Sequence, residues 1–178
     1  MPFYLRERDI SPELAGVESV LIVPCRFCPA ASLAVREQEP YIRLFRTFLK
    51  TPSYQAYIRG LESRLRQQAI RTEVFENRLP QHFIVCMWTA ARREALAREA
   101  ALHDAIIVLG CEAAVQTARS CASASGCRVI AGMEVEGIMN VIPMVRFPCD
   151  ISLQVSSVTR VVPHRSPSSS ILAAQTHP

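Results

Sequence analysis

The sequence predicts an α/β protein built on a mostly parallel, Rossmann-like or flavodoxin-like sheet with helices on both faces. Three observations predict it. Short continuous apolar runs at residues 18–24 and 104–109 suit strands that are buried on both sides. Segments with apolar residues at helical spacing lie between the strand-like stretches. The chain has 178 residues, of which 49% are hydrophobic and 20% charged, so a large core is feasible and a disordered chain is excluded.

The first run ends directly in Cys25-Arg26-Phe27-Cys28-Pro29, and residues 30–35 then have helical composition. Pro40 interrupts. Residues 41–50 read as a helix with Leu44, Phe45, Phe48 and Leu49 on one side. Thr51-Pro52 supplies an N-cap followed by proline at the first helical position, which opens a helix over 52–69. Tyr54, Tyr57, Ile58, Leu61 and Leu65 form its apolar stripe, with Arg59, Glu62 and Arg66 facing away.

Residues 70–75 alternate and are β-branched, which predicts a strand. Residues 77–80 read as a turn and residues 82–87 as a further strand. Thr89 can cap a helix over 90–102, rich in alanine, arginine and glutamate. The second buried strand, residues 104–109, stops at Gly110-Cys111. Residues 113–124 are small and helical, residues 127–131 form a strand, and Glu134, Glu136 and Gly137 fall in a loop after it. Residues 138–162 hold short apolar pieces without an assigned pairing. One α/β domain over residues 1–162 and a flexible tail over 163–178 complete the expected organisation.

The net charge is +4, and 19 of the 20 basic residues are arginine. The arginines sit at helical spacing beside glutamates, as on a solvated helix face, so no nucleic-acid partner is expected. No apolar run approaches the ~18–20 residues that cross a bilayer, and the first residues do not read as an export signal. A cytoplasmic protein with no membrane partner is the expectation. The seven cysteines are odd in number, which argues against a disulfide framework and for reduced thiols.

Those thiols are the candidate chemistry. Cys25 and Cys28 form a CxxC between a strand and a helix, a spacing that suits metal ligation, a redox disulfide or two inert buried thiols. The positive end of the following helix is expected to lower their pKa. Cys111 ends the other buried strand and reaches the same sheet edge if the two strands are parallel. Cys86 joins them if its strand runs the same way. Zinc and iron–sulfur clusters both take such thiolates. Cys121, Cys127 and Cys149 are weaker candidates. The four histidines give no pair at ligand spacing, and no phosphate-binding or nucleophile-elbow motif is present. Glu134 and Glu136, two residues apart, would share one face of a strand.

The stretch Leu109-Gly110-Cys111-Glu112-Ala113-Ala114-Val115-Gln116-Thr117-Ala118 resembles the cysteine–small–small–Val-Gln-Thr segment of the methylene-tetrahydrofolate reductase C-terminal domain family. The similarity covers residues 104–140 well and residues 18–35 loosely. The family's N-terminal motif has three cysteines and a glycine pair; this chain has Cys25 and Cys28 followed by Pro29-Ala30-Ala31, and Glu112 stands where the family has glycine. The resemblance implies a zinc or iron–sulfur site on Cys25, Cys28 and Cys111, to which Cys86 is added as a candidate ligand by its own placement. Gln116, one turn into the helix after Cys111, and Glu134, after the last parallel strand, are the candidate cofactor contacts, and the resemblance implies a reductase or methyltransferase subunit as partner in one-carbon or methyl-transfer metabolism. The competing expectations are a thiol–disulfide oxidoreductase using Cys25 and Cys28, and a cysteine-rich scaffold without metal.

Overall fold

The apolar runs at 18–24 and 104–109 become neighbouring strands, and the rest of the molecule is arranged around them. The computed structural model describes residues 2–43, 50–76, 82–146 and 150–161. In chain order the elements are β1 (Phe3–Glu7), β2 (Ser19–Pro24), α1 (Cys28–Arg36), β3 (Ile42–Arg43), α2 (Pro52–Gln67), β4 (Arg71–Val74), α3 (Ala90–Ala100), β5 (Ala105–Leu109), α4 (Glu112–Ala122), β6 (Arg128–Ala131), β7 (Met133–Arg146) and β8 (Asp150–Arg160).

Four strands form a parallel sheet in the order β4-β2-β5-β6. Every residue of β2 and β5 is buried, because both are inner strands with helices above and below. Side chains alternate across a strand, so each run feeds two cores. Val20, Ile22, Ala105, Ile107 and Leu109 share one core with Tyr54, Ile58, Leu61 and Leu65 of α2. Leu21, Val23, Ile106 and Val108 share the other with Leu96 and Ala100 of α3 and Ala114, Val115 and Ala118 of α4. The expectation of an α/β protein holds in this form.

The second sheet is the main departure from the sequence reading. β1, β7, β8 and β3 form an antiparallel sheet in that order, so the molecule has two sheets rather than one mostly parallel one. The residues read as a loop around Glu134 and Glu136 are the start of β7, and the apolar pieces of 138–162 pair along the β7–β8 hairpin. The chain passes from the parallel to the antiparallel sheet at Gly132. A side chain there would place Cβ 2.8 Å from Leu109 Cδ2 and 2.9 Å from Ile107 Cγ2, so the crossing depends on glycine. Ser32 of α1, fully buried, ties that helix to β1 of the antiparallel sheet: its Oγ accepts from the Leu5 amide at 2.9 Å and lies 2.9 Å from the Cys28 carbonyl.

Two further corrections concern short segments. Residues 82–87 are not a strand: Val85–Met87 forms a 3₁₀ turn, with the Met87 amide donating to the Ile84 carbonyl at 3.1 Å. Only Val85 of that turn is buried, and Met87 is 72% exposed, so the apolar composition never had a sheet face to cover. Ile42–Arg43, read as the start of a helix, pairs with β8. The rest of that expected helix, the turn at 77–80, Cys149 and the tail at 163–178 lie outside the described residues.

Candidate functional site: thiols at the carboxyl end of the parallel sheet

Cys25 follows β2 and Cys111 follows β5, and because these strands are parallel neighbours both residues emerge at one end of the sheet. The Cys25 amide donates to the Leu109 carbonyl at 2.9 Å, which locks the two strand ends together. Gly110 allows the close approach. A Cβ on it would lie 2.7 Å from Ala114 Cβ and 3.2 Å from Cys25 Cβ. Cys28 is buried in the first turn of α1, and Phe3 of β1 supplies a backbone N–H to its sulfur. Cys86 arrives from the 3₁₀ turn rather than from a strand, and its titration responds to Cys111. The turn is held in place where the Arg26 amide donates to the Phe83 carbonyl at 2.7 Å.

The four sulfurs are not equivalent. Cys111 is the N-cap of α4, where the first backbone N–H groups have no partner inside the helix. Its thiol is lowered to about 6, chiefly by a hydrogen bond from the Cys28 thiol and further by the amides of Ala114 and Ala113, against the opposing effect of burial. Cys28 moves the other way: donating its proton to the Cys111 sulfur, together with burial, pushes it far up. Of the two, Cys111 is the sulfur favoured as a thiolate and Cys28 the one favoured as a thiol. Cys25 is pushed up to about 11 by burial, despite amide donors at Val85 and Phe27. Burial also raises Cys86. The lowering expected of the CxxC thiols thus falls on Cys111 instead.

Two tyrosines border the site, Tyr54 from α2 and Tyr41 from just before β3. Tyr54 is fully buried and its hydroxyl donates to the Leu109 carbonyl at 3.3 Å, so the first turn of α2 sits over the end of β5. Tyr41, raised to about 12 first by burial, also feels the field of Cys28 and Cys25. Arg26, inside the CxxC loop, stacks over the Phe83 ring at 5.7 Å. Two of its nitrogens, Nε and Nη1, are hidden from solvent and make no hydrogen bond.

The remaining expected site residues lie elsewhere. Gln116 is exposed, and its Nε2 donates to Glu112 Oε1 at 2.8 Å. Glu112 also pairs with Arg119 at 3.1 Å and so faces solvent. Glu134 and Glu136 share one face of β7, where Arg6 pairs with Glu134 and Arg36 with Glu136. That face belongs to the antiparallel sheet. Cys121 packs beside the α3–α4 core, and Cys127 lies at the amino end of β6, where Asp104 contributes to its upward shift. All six cysteines among the described residues are free thiols. Also among the described residues, no group of three or more His, Cys, Asp or Glu side chains is gathered so as to hold a metal ion. No described helix is long and apolar enough to cross a membrane.

Sequence reasoning misses Arg26, Tyr41 and Tyr54. The position of Arg26 within the CxxC was the available signal. Tyr54 reads only as part of an apolar stripe, since its hydroxyl bond is a long-range contact. No family model matches the chain, and no curated protein and no solved structure matches it either.

Proposed function

We propose that the chain is a thiol–disulfide exchange protein whose working pair is Cys28 and Cys111 rather than Cys25 and Cys28. The observation that carries this reading is the place of Cys111 at the N-terminus of α4, in one buried cluster with Cys28, where Cys28 and the first amides of α4 pull its thiol down. A cysteine favoured as a thiolate, with a second thiol in the same cluster, is what exchange chemistry needs. The Cys111 thiolate attacks one sulfur of a small disulfide, the S–S bond breaks, and one thiolate leaves. Cys28 then gives up its proton to that leaving thiolate and attacks the Cys111 sulfur. The second half of the substrate departs as a thiolate that takes up a proton from water. Two electrons pass to the substrate, and the protein holds a Cys28–Cys111 disulfide until an external dithiol reduces it.

The strand order favours the same location. Taken alone, the parallel strands run second-first-third-fourth across the sheet, the flavodoxin-like order, and such sheets take ligands beyond the carboxyl ends at the switch between first and third strands. Cys25 and Cys111 follow those two strands.

A second reading keeps the metal. Cys25 feels the fields of Cys111 and Cys86, Cys28 those of Cys25 and Cys111, and Cys86 that of Cys111, which favours a shared zinc or iron–sulfur site in an accessory subunit of one-carbon metabolism. Holding a metal there requires the sulfurs to draw together.

One experiment separates the two. The protein is purified without oxygen, its metal content is measured, and the metal-free form is reacted with 2-hydroxyethyl disulfide. Exchange is expected in the wild type, no reaction in Cys111→Ser, and a trapped mixed disulfide on Cys111 in Cys28→Ser. Stoichiometric zinc or iron that all four Cys→Ser changes release, with no exchange after its removal, would replace the first reading by the second.

A further inference from the structure

The thiol pair does not exhaust this end of the sheet. Arg26 stands between Cys25 and Cys28, and its side chain is half-hidden under the turn at residues 82–88. A guanidinium loses much hydration on burial and normally recovers it through acceptors. Here Nε and Nη1 are hidden from solvent and no acceptor meets them. Phe83 offers a ring face, which takes part of the charge but accepts no N–H in line. Tyr54 and Glu76 lie near enough to favour the charged form, yet neither bonds to those nitrogens.

The neighbourhood repeats the pattern. Ser53, 5% exposed at the start of α2 beside Tyr54, has a buried Oγ without a partner. Gln55 Nε2, on the same first turn, is also buried and unmet. Structures rarely leave several donors unsatisfied in one region without a ligand or water to meet them. The donors are cationic or neutral, and they border a helix N-terminus, so the missing partner is an anion.

We infer that this site takes a small disulfide bearing an anionic group such as a carboxylate, and that Arg26 receives that group while Cys111 reacts with the disulfide. The inference rests on the exchange reading for its chemistry and adds the substrate class. Arg26 is a binding residue here. Its guanidinium takes no part in the sulfur transfer, and its removal should therefore penalise anionic substrates alone.

The test uses three disulfides of similar size: 3,3′-dithiodipropionate (anionic), 2-hydroxyethyl disulfide (neutral) and cystamine (cationic). Second-order rates are measured for the reduced full chain, for Arg26→Gln and for Arg26→Lys. The wild type should favour the anionic disulfide over the neutral one. Arg26→Gln should cut that preference, the ratio of anionic to neutral rates, by about tenfold or more, the scale of a lost hydrogen bond to a charged group. Arg26→Lys should keep part of it. An unchanged preference in Arg26→Gln, or an equal fall for all three disulfides, would overturn the inference.

A second measurement does not need exchange to occur. Suberate is the same dianion with methylenes in place of both sulfurs. At matched ionic strength it should raise the unfolding midpoint of the wild type and of Cys111→Ser, but not of Arg26→Gln. If no disulfide reacts yet suberate binds through Arg26, the exchange reading fails and the anion site stands. If suberate fails to stabilise the wild type, the anion site is wrong even where exchange is fast.

Discussion

The two ends of the parallel sheet are built from the same four strands and finished in opposite ways. At the amino end, Asp104 Oδ2 accepts from the Ser19 amide at 2.8 Å, the Ser19 hydroxyl at 2.9 Å and the Glu18 amide at 3.0 Å. Ser19 Oγ in turn accepts from the Asp104 amide at 3.0 Å. The Ser19 hydroxyl and these amides hold the Asp104 carboxyl below the usual range. Every group in that small network has its partner, and among the described residues the unmet polarity beside it is confined to His103 Nε2, whose ring holds the Glu99 carbonyl through Nδ1. At the carboxyl end, a cysteine whose thiol is pulled down sits on a helix N-terminus, and an arginine, a serine and a glutamine carry buried donors with no acceptor. Closed networks fasten a fold, whereas unmet polarity in a buried place is a cost that binding can recover. The difference teaches where this chain holds its structure and where it has room for chemistry.

The largest expected effect separates the ends by reactivity. Cys111→Ser should abolish disulfide exchange, while Asp104→Asn should lower the unfolding midpoint and leave the exchange rate alone. Stopped-flow exchange and thermal unfolding on both variants check this. A loss of exchange in Asp104→Asn, in protein that remains folded, would erase the contrast.

Next in size is Gly110→Ala. Its Cβ would sit 2.7 Å from Ala114 Cβ, which forces α4 away from the end of β5. Overpacking of this kind costs about 1–3 kcal/mol. Moving α4 also withdraws the Ala113 and Ala114 amides, so the Cys111 thiol should ionise at higher pH. Denaturant unfolding and the pH dependence of alkylation read the two effects separately.

A smaller effect is the pH dependence of stability. In the unfolded chain Cys111 returns to an ordinary value of 9.0, against about 6 when folded. Between those values the unfolded chain holds the extra proton, so stability should rise as pH goes from about 6 to 9. Above 9.0 the sign reverses, because Cys25 and Cys28 keep protons in the fold that they lose on unfolding. Cys111→Ser should flatten the rising part, and Cys25→Ser should weaken the falling part. Urea unfolding across this range measures both.

Much of the parallel half was legible in the sequence for a physical reason. β2 and β5 are buried on both faces, so their apolar runs are continuous, and α2 opens on Thr51-Pro52 as its composition says. The antiparallel half was not. Along β7 the burial fades from Met133 toward an exposed run at Pro143–Arg146, so the strand has no single apolar period. Its pairing with β1 joins residues far apart in the chain, which local composition does not encode. The site divides in the same way. Cys25, Cys28 and Cys111 were visible as strand-end cysteines. The mutual influence of Cys28 and Cys111, and the turn that brings Cys86 in without a strand, come from packing between distant segments.

The central claim is the identity of the working pair, and disulfide mapping tests it most directly. The reduced protein is oxidised with a small excess of 2-hydroxyethyl disulfide, free thiols are blocked at low pH, and the digested chain is read by mass spectrometry. The account predicts one bond, between Cys28 and Cys111, with Cys25 and Cys86 blocked as free thiols. A Cys25–Cys28 bond, or oxidation spread evenly over the cysteines, would contradict it.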